Sequence, residues 1–159
     1  MAEGEFALAR QNLEKAAGMI GEWVGDHDLY AMLADTAARQ YDAAALEKYA
    51  PMAETAAQRY KHLLYQGIAR RALGVLDTLT GDLDLANERL NQALEVFHSL
   101  GTHWQIGRTL QNLGELELKR ANIRLSEDFF ERAESEFASM HAVPDLNRVK
   151  QALNGLRGR

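Results

Sequence analysis

Residues 71–101 read RALGVLDTLTGDLDLANERLNQALEVFHSLG, and residues 111–141 read QNLGELELKRANIRLSEDFFERAESEFASMH. The second stretch repeats the first after forty residues, with seven of the 31 positions identical, including a Leu-Gly pair at 73–74 and 113–114. A repeat of this length is typical of stacked helical hairpins. Each hairpin leaves an apolar face that only a neighbouring hairpin can cover, so the repeat predicts a solenoid, an architecture usually used to bind other proteins.

A third copy upstream is much fainter. Residues 31–61 match residues 71–101 only at Leu33, Asp42 and Ala53. Membership of this segment in the repeat therefore depends on its helical pattern and its spacing.

Composition limits the kind of protein. A chain of 159 residues with 47% hydrophobic content is long enough for one compact domain, and we expect residues 1–159 to form a single helical-repeat domain. The formal net charge of −5 argues against a nucleic-acid partner, because such domains usually carry a basic excess. The chain has no Cys, which excludes disulfides, thiolate catalysis and Cys-ligated zinc.

The amino-terminal sequence gives no sign of a targeting segment. It carries acidic residues, Glu3 and Glu5, where a signal peptide has basic ones, and no apolar stretch reaches the roughly 18 residues that a membrane span needs. We therefore expect neither a signal peptide nor a membrane partner, and a cytoplasmic location.

Apolar residues recur at three- and four-residue spacing almost throughout, which predicts an all-α fold. Eight helices are expected, at about 5–22, 27–40, 43–61, 63–80, 83–100, 103–120, 123–140 and 144–156. Pro51 should kink or split the third helix, because it lacks a backbone donor and clashes with the preceding turn.

Local chemistry marks several helix ends. Gly81 can take a positive φ, and Asp82 after it can cap the next helix. Thr102 and Gln105 have the spacing of a capping box, and Pro144 suits the first turn of the last helix.

The repeated unit resembles a tetratricopeptide repeat. The resemblance is carried by Leu73-Gly74, the Gly81-Asp82 turn, Ala86, Leu90 and Ala93, and in the second copy by Leu113-Gly114, Phe130 and Ala133. At the start of the chain, Gly4-Glu5-Phe6, Ala9, Leu13 and Ala16 are similar to the turn and second helix of the same unit.

The length of the repeat restricts the resemblance to a subset of tetratricopeptide repeats. The family's common period is about 34 residues, whereas this chain uses forty, as do the long repeats in the carboxy-terminal regions of large bacterial signalling ATPases, cyclases and transcription activators. The resemblance implies a right-handed superhelix of antiparallel helix pairs, with its best repeats at 63–140 and a closing helix at about 144–156. It further implies a sensor or assembly region of a larger regulator. Neither a phosphate-binding loop nor a cyclase metal motif occurs here.

In tetratricopeptide superhelices the first helix of each pair lines a concave face that meets the partner. The resemblance places ten residues of this chain on that face: Asp35, Arg39, Arg71, Val75, Thr78, Arg108, Gln111, Asn112, Glu115 and Lys119. Their mixed charge suggests a polar, partly acidic protein or peptide, because Arg binds carboxylates bidentately. A merely hydrated groove is an equally good interpretation.

Other residues offer weaker candidates. His62, His98, His103 and His141 fall near predicted helix ends, which favours a role at turns over metal binding. Trp104, Tyr65 and Tyr30 could anchor a partner, although helix packing explains them better. We expect no catalysis, metal or cofactor, since no spacing singles out a catalytic set.

The sequence thus predicts a non-catalytic protein-binding scaffold. Two alternatives stay open: a domain that senses a small ligand, and a purely structural spacer. Two copies could also associate through the ends of the solenoid, where apolar faces lack a neighbour.

Overall fold

The computed structural model of the chain describes the backbone of residues 2–19 and 26–158, and the side chains of residues 8–16 and 28–158. In these ranges all regular structure is helical, which confirms the all-α prediction. The eight helices are α1 (Ala2–Met19), α2 (Asp26–Gln40), α3 (Ala43–Arg59), α4 (Leu63–Thr80), α5 (Leu83–Ser99), α6 (His103–Lys119), α7 (Ile123–Ser139) and α8 (Val143–Arg157).

The predicted helix bounds differ from these mainly at α1. Gly4-Glu5, predicted as a turn, lies inside α1, so that prediction was wrong, and the predicted end at residue 22 lies outside the described residues. One Gly costs a helix only about 1 kcal/mol, which flanking residues can offset. Pro51 does not split α3, which runs continuously through it.

The turns between helices follow one geometry at a constant spacing. A residue with positive φ occurs every twenty residues, at Tyr41, Lys61, Gly81, Gly101, Ala121 and His141. At five of these turns the next N–H donates to the carbonyl five residues back, as from Asp42 to Ala37 at 3.1 Å and from Asn122 to Glu117 at 2.9 Å. This is the hydrogen bond of a Schellman motif. The same turn therefore recurs in 31–61, where sequence identity is lowest.

Backbone packing divides the chain into two compact units, Met1–Asp82 and Leu83–Arg159. The core of the first unit is rich in alanine, with Ala34, Ala50 and Ala53 fully buried beside Leu33 and Leu46. Small side chains on both helices let their backbones approach closely.

The core of the second unit is built from aromatic rings and glycines. A methyl group added to Gly114 would lie 2.8 Å from the ring of Phe130, and one added to Gly107 would lie 2.8 Å from Phe137. Both Phe rings are buried. The repeated Leu-Gly pair thus has a physical reason in this unit, because only glycine leaves room for the ring.

The buried stripes of α5 and α7 agree with the predicted helical faces except at their ends. Ala86, Leu90, Ala93, Leu94 and Phe97 are buried in α5, as are Ser126, Phe130, Ala133 and Phe137 in α7. Leu100, predicted on the same face, is 39% exposed because it follows the end of α5, and Met140 is only half-buried for the same reason.

The predictions for helix ends had mixed outcomes. Gly81 has φ 97° and Pro144 lies in the first turn of α8, as predicted. The capping box at Thr102 is absent, since the Thr102 hydroxyl donates to the Phe97 carbonyl at 3.3 Å instead of accepting from α6.

Among the described residues, no helix combines the length and apolar character that crossing a membrane requires.

Candidate partner-binding surface

Five of the predicted surface residues belong to α2 and α4 in the first unit, and the structure buries three of them. Arg71 is fully buried, and its Nη2 donates to Asp35 Oδ1 at 2.7 Å. Val75 is 3% exposed, and the buried Thr78 hydroxyl donates to the Gly74 carbonyl at 2.8 Å. The prediction that Arg71, Val75 and Thr78 are exposed was wrong.

The reason lies in the position of α4. Ten of its eighteen residues are buried, including the continuous run Arg71–Val75, so the helix has no broad exposed face. Counting from the Leu-Gly pair fixes the helical register of a residue but not how many sides of the helix are covered. Asp35 and Arg39 on α2 are half-buried and stay partly accessible.

Arg108 on α6 also points away from solvent. It is 7% exposed, and its guanidinium lies over the ring of Trp104, 4.8 Å from the ring centre. The indole N–H of Trp104 donates to Asp145 Oδ2 at 3.0 Å, which joins α6 to α8. Arg108 and Trp104 therefore contribute to the packing of the second unit, because their polar groups are directed at neighbouring side chains.

The last two turns of α6 carry the remaining predicted residues as one polar strip. Gln111 Nε2 donates to Glu115 Oε1 at 2.9 Å, and Asn112 Nδ2 donates to Glu115 Oε2 at 3.3 Å. Gln111 is buried, Asn112 and Glu115 are half-buried, and Lys119 is exposed. We call Asn112, Glu115 and Lys119 the α6 strip, since these are the members that a partner can reach.

The α6 strip is suited to binding a polar segment. Two amides orient the Glu115 carboxylate in advance, so binding need not order that side chain again. A carboxylate and an ammonium group four residues apart can contact a basic and an acidic group of the same ligand. The strip has the mixed charge that the sequence predicted, on fewer residues.

A buried polar network next to the strip was missed by the sequence analysis. Glu117 is 3% exposed and accepts from Arg120 Nη1 at 3.0 Å and from Asn122 Nδ2 at 3.1 Å. Arg120 Nη2 also donates to the Leu83 carbonyl at 2.8 Å, which links the end of α6 to the start of α5. The Glu117–Arg120 spacing was the available signal, but charged pairs at that spacing are common on exposed helices.

The histidines lie at helix ends, as predicted. His62 precedes α4, His103 begins α6 with its Nδ1 2.9 Å from Glu136 Oε2, and His141 occupies a left-handed turn position. In the part of the chain that the structure describes, no three His, Cys, Asp or Glu side chains group in a way that could hold a metal ion.

Tyr65 and Tyr30 are half-buried in the first unit. Tyr65 stacks on His62 with ring centres 4.2 Å apart, and its hydrogen bond to the Asp28 carboxylate raises the pKa of the phenol. Tyr30 packs against the apolar cluster of the unit. Both side chains contribute to helix packing.

An open depression of about 380 Å³ lies at the start of α7. It is lined by Asn122, Arg124, Leu125 and Asp128, all of them exposed. Small-molecule sites are usually enclosed and mostly apolar, so this depression does not favour the small-ligand alternative.

Comparison with known proteins adds no relative. No protein-family model and no curated protein matches the sequence.

Proposed function

We propose that this chain is a non-catalytic protein-binding domain of tetratricopeptide type, whose helix pairs form a right-handed superhelix. The observation that carries the proposal is the left-handed turn residue at every twentieth position from Tyr41 to His141. Equal helical hairpins in series are the construction of solenoids that hold other proteins on an extended surface. The forty-residue period supports a sensor or assembly region of a larger bacterial signalling regulator in the cytoplasm.

The proposed binding surface is the α6 strip. Its residues stand on a helix with ten buried residues, so the backbone beneath them is rigid. A partner of standard size would bury about 1,200–2,000 Å² in total, and the strip would set its orientation through polar contacts. Arg71 and Arg108 are not suitable positions for testing partner binding, because both are buried and their substitution would change the stability of the chain.

The experiment selects peptides from a random library on the immobilised chain and measures their affinity for variants of the strip. We expect the combined change Glu115→Lys and Lys119→Glu to weaken the selected peptides at least about tenfold, a loss of about 1.4 kcal/mol. Reversing both charges preserves the net charge, so a nonspecific electrostatic effect is removed.

Ser135→Lys is the control, since Ser135 is exposed on α7 and is not a member of the strip. Circular dichroism would confirm that all variants stay helical. Selected peptides that bind the charge-reversed variant as tightly as the unchanged chain would show that the strip is not the binding surface. The absence of any selected peptide would argue against the protein-binding proposal itself.

Association of two copies through the ends of the superhelix is a separate part of the proposal. The molar mass of the chain in solution, measured by light scattering over a range of concentrations, tests it directly. A monomer at all concentrations would contradict it.

A further inference from the structure

Glu115 of the α6 strip has a counterpart two repeats earlier, in the first unit. Position 35 lies eighty residues before position 115, on α2, and it also carries a carboxylate, Asp35. Both carboxylates are half-buried on the first helix of a hairpin. The intermediate copy has Val75 at this position, which is buried and has no polar group. An acidic side chain thus occurs at the same repeat position in each unit.

The Asp35 carboxylate binds an arginine of the same chain. Arg71 on α4 is fully buried, and its Nη2 donates to Asp35 Oδ1 at 2.7 Å. The Asp35 side chain is 21% exposed, so the pair lies at the edge of the core. Hydrogen bonds between a guanidinium and a carboxylate are among the stronger ones in proteins. The first unit therefore contains an example of the ligand that suits a carboxylate at this repeat position.

The second unit has a glutamine at the position equivalent to Arg71. Eighty residues after Arg71 comes Gln151, an exposed residue of α8 that has no cationic group. The packing of the two helices differs as well, since α4 packs against both α2 and α3, whereas α8 packs mainly against α7. The residue of α8 that corresponds to Arg71 therefore brings no guanidinium to Glu115.

The Glu115 carboxylate is oriented in a way that suits a planar ligand. The buried Gln111 donates to one of its oxygens and Asn112 donates to the other, which fixes the plane of the carboxylate relative to α6. Each carboxylate oxygen has two lone pairs and can accept more than one N–H group. A guanidinium presents parallel N–H groups that match two carboxylate oxygens, whereas an ammonium is a point charge without a plane. The fixed carboxylate thus favours arginine over lysine.

We propose that Glu115 binds the guanidinium of an arginine in a partner peptide, with Gln111 and Asn112 as its positioning residues. The arginine of the peptide has the role at Glu115 that Arg71 has at Asp35, but it comes from another chain. This inference rests on the proposed function and deepens it, because it names the side chain that the α6 strip selects.

The accessible charges favour a basic ligand. The sequence suggested a partly acidic ligand because it placed Arg71 and Arg108 on the surface, and the structure buries both. The charge of Glu115 stays accessible and is oriented by two hydrogen bonds. The formal net charge of −5 further favours the approach of a basic peptide.

The test uses the peptides that the random library yields on the unchanged chain. In each peptide, every arginine is replaced in turn by lysine and by citrulline, which retains the shape of arginine but carries no charge. Fluorescence anisotropy measures the affinities for the unchanged chain, the Glu115→Gln chain and the Glu95→Gln chain. Glu95→Gln is the matched control, since Glu95 is exposed on α5 and the same charge is removed.

We expect each peptide to contain one arginine that Glu115 recognises. Its replacement by lysine or citrulline should weaken binding at least about tenfold in the unchanged chain and in the Glu95→Gln chain. The same replacement should have little effect in the Glu115→Gln chain, because the carboxylate that distinguishes the side chains is gone.

Gln111→Met tests the positioning role, because Met has a similar size but donates no hydrogen bond. The ratio of the affinities for the arginine and lysine forms of a peptide should fall at least about threefold, since an ammonium does not depend on the plane of the carboxylate. A loss of structure would weaken both forms alike, so the ratio separates positioning from folding. If Gln111→Met is not helical by circular dichroism, Asn112→Ala, which removes the amide at the other oxygen, replaces it.

Three results would overturn the proposal. The first is that the lysine or citrulline forms bind the unchanged chain as tightly as the arginine forms. The second is that replacing the arginine costs as much in the Glu115→Gln chain as in the Glu95→Gln chain, which would place the arginine elsewhere. The third is that N-acetylarginine amide binds as tightly as the peptides, which would assign the site to a small guanidinium ligand.

The two proposals fail in different ways. Peptides that need the α6 strip but no arginine would contradict this inference alone. The absence of any selected peptide would contradict the protein-binding proposal and this inference with it.

Discussion

The hairpins α2–α3 and α6–α7 share one turn geometry but use different side chains to bring their helices together. Position 34 on α2 is eighty residues before position 114 on α6, and position 50 on α3 is eighty before position 130 on α7. The first hairpin has Ala34 and Ala50 there, both fully buried, whereas the second has Gly114 and Phe130 in contact. The first hairpin thus has two small side chains at these positions. The second has a glycine, which has no side chain, and a large aromatic ring.

The difference shows that the repeat is preserved in its backbone while its packing varies. Protein interiors tolerate substitutions that preserve the filled volume, provided that neighbours change together. The Schellman turns at Tyr41 and Ala121 fix the spacing of the hairpins independently of those core residues. The comparison explains why 31–61 has the geometry of the repeat with little of its sequence.

The largest expected effect comes from removing the ring that fills the second hairpin. Phe130→Ala should destabilise the chain by about 3–5 kcal/mol, because Gly114 opposite has no side chain to fill the cavity. Urea unfolding followed by circular dichroism measures the change. If the free energy of unfolding falls by less than about 1 kcal/mol, the helices close on the cavity. The two hairpins would then differ less in their packing than we infer.

A smaller effect follows from adding a methyl group on the other side of that contact. Gly114→Ala should cost about 1–3 kcal/mol, since the new methyl would lie 2.8 Å from the buried Phe130 ring. Gly155→Ala is the control: nothing lies within 4 Å of its added methyl, and helix propensity should make it neutral or slightly stabilising.

The double variant Gly114→Ala with Phe130→Ala tests the comparison most directly, because it recreates the Ala34 and Ala50 arrangement in the second hairpin. The cost of Gly114→Ala should disappear in the Phe130→Ala background, giving a coupling energy of at least about 1 kcal/mol. Strict additivity would contradict the proposed contact.

Much of the fold could be predicted from the sequence because it depends on local signals. Apolar spacing located all eight helices, and glycine located the turns at Gly81 and Gly101. The left-handed positions at Tyr41, Lys61 and His141 could not be predicted from residue type, since side chains other than glycine rarely favour that conformation. They are imposed by the two helices that each turn joins.

The fourth prediction concerns those turns. Ala121→Gly should stabilise the chain by about 0.5–1 kcal/mol, because it relieves the left-handed strain at φ 60° while adding some entropy to the unfolded chain. Gly101→Ala, at φ 63° with open space around it, should cost about 1 kcal/mol. Thermal unfolding measures both. The same sign for the two changes would show that helix packing, and not turn strain, decides these positions.

The candidate surface was less predictable than the fold. Alignment placed Val75 and Glu115 at equivalent positions of their helices, but the structure buries Val75 and leaves Glu115 half-buried. Burial depends on what packs against each helix, and a single sequence does not state which side chains meet across it. The contacts of Arg10 and Glu14 with α3 escaped prediction for the same reason, since they join residues more than thirty positions apart.

The smallest expected effect is the pH-dependent stability that Asp42 contributes to the first hairpin. Asp42 caps α3 by accepting from Ala45 N at 3.0 Å, whereas Thr102 and Asn122 make no side-chain cap bond. The Ala45 N–H holds the pKa of Asp42 below its usual value of 3.8, and Arg10 lowers it further against the opposing effect of burial.

A depressed pKa in the folded state means that the ionised carboxylate stabilises the fold above about pH 3.8 and loses this effect as the pH falls through the folded value. The stability difference between the unchanged chain and Asp42→Asn should therefore be below about 1 kcal/mol at pH 7 and decline as the solution is acidified below pH 4. Urea unfolding at fixed ionic strength measures this difference. Asn retains an oxygen acceptor for the cap, so the pH-dependent part of the stability difference reports the charge of Asp42 alone. A stability difference that stays constant down to pH 3 would contradict the prediction, and would mean that the charge adds nothing to the capping hydrogen bond.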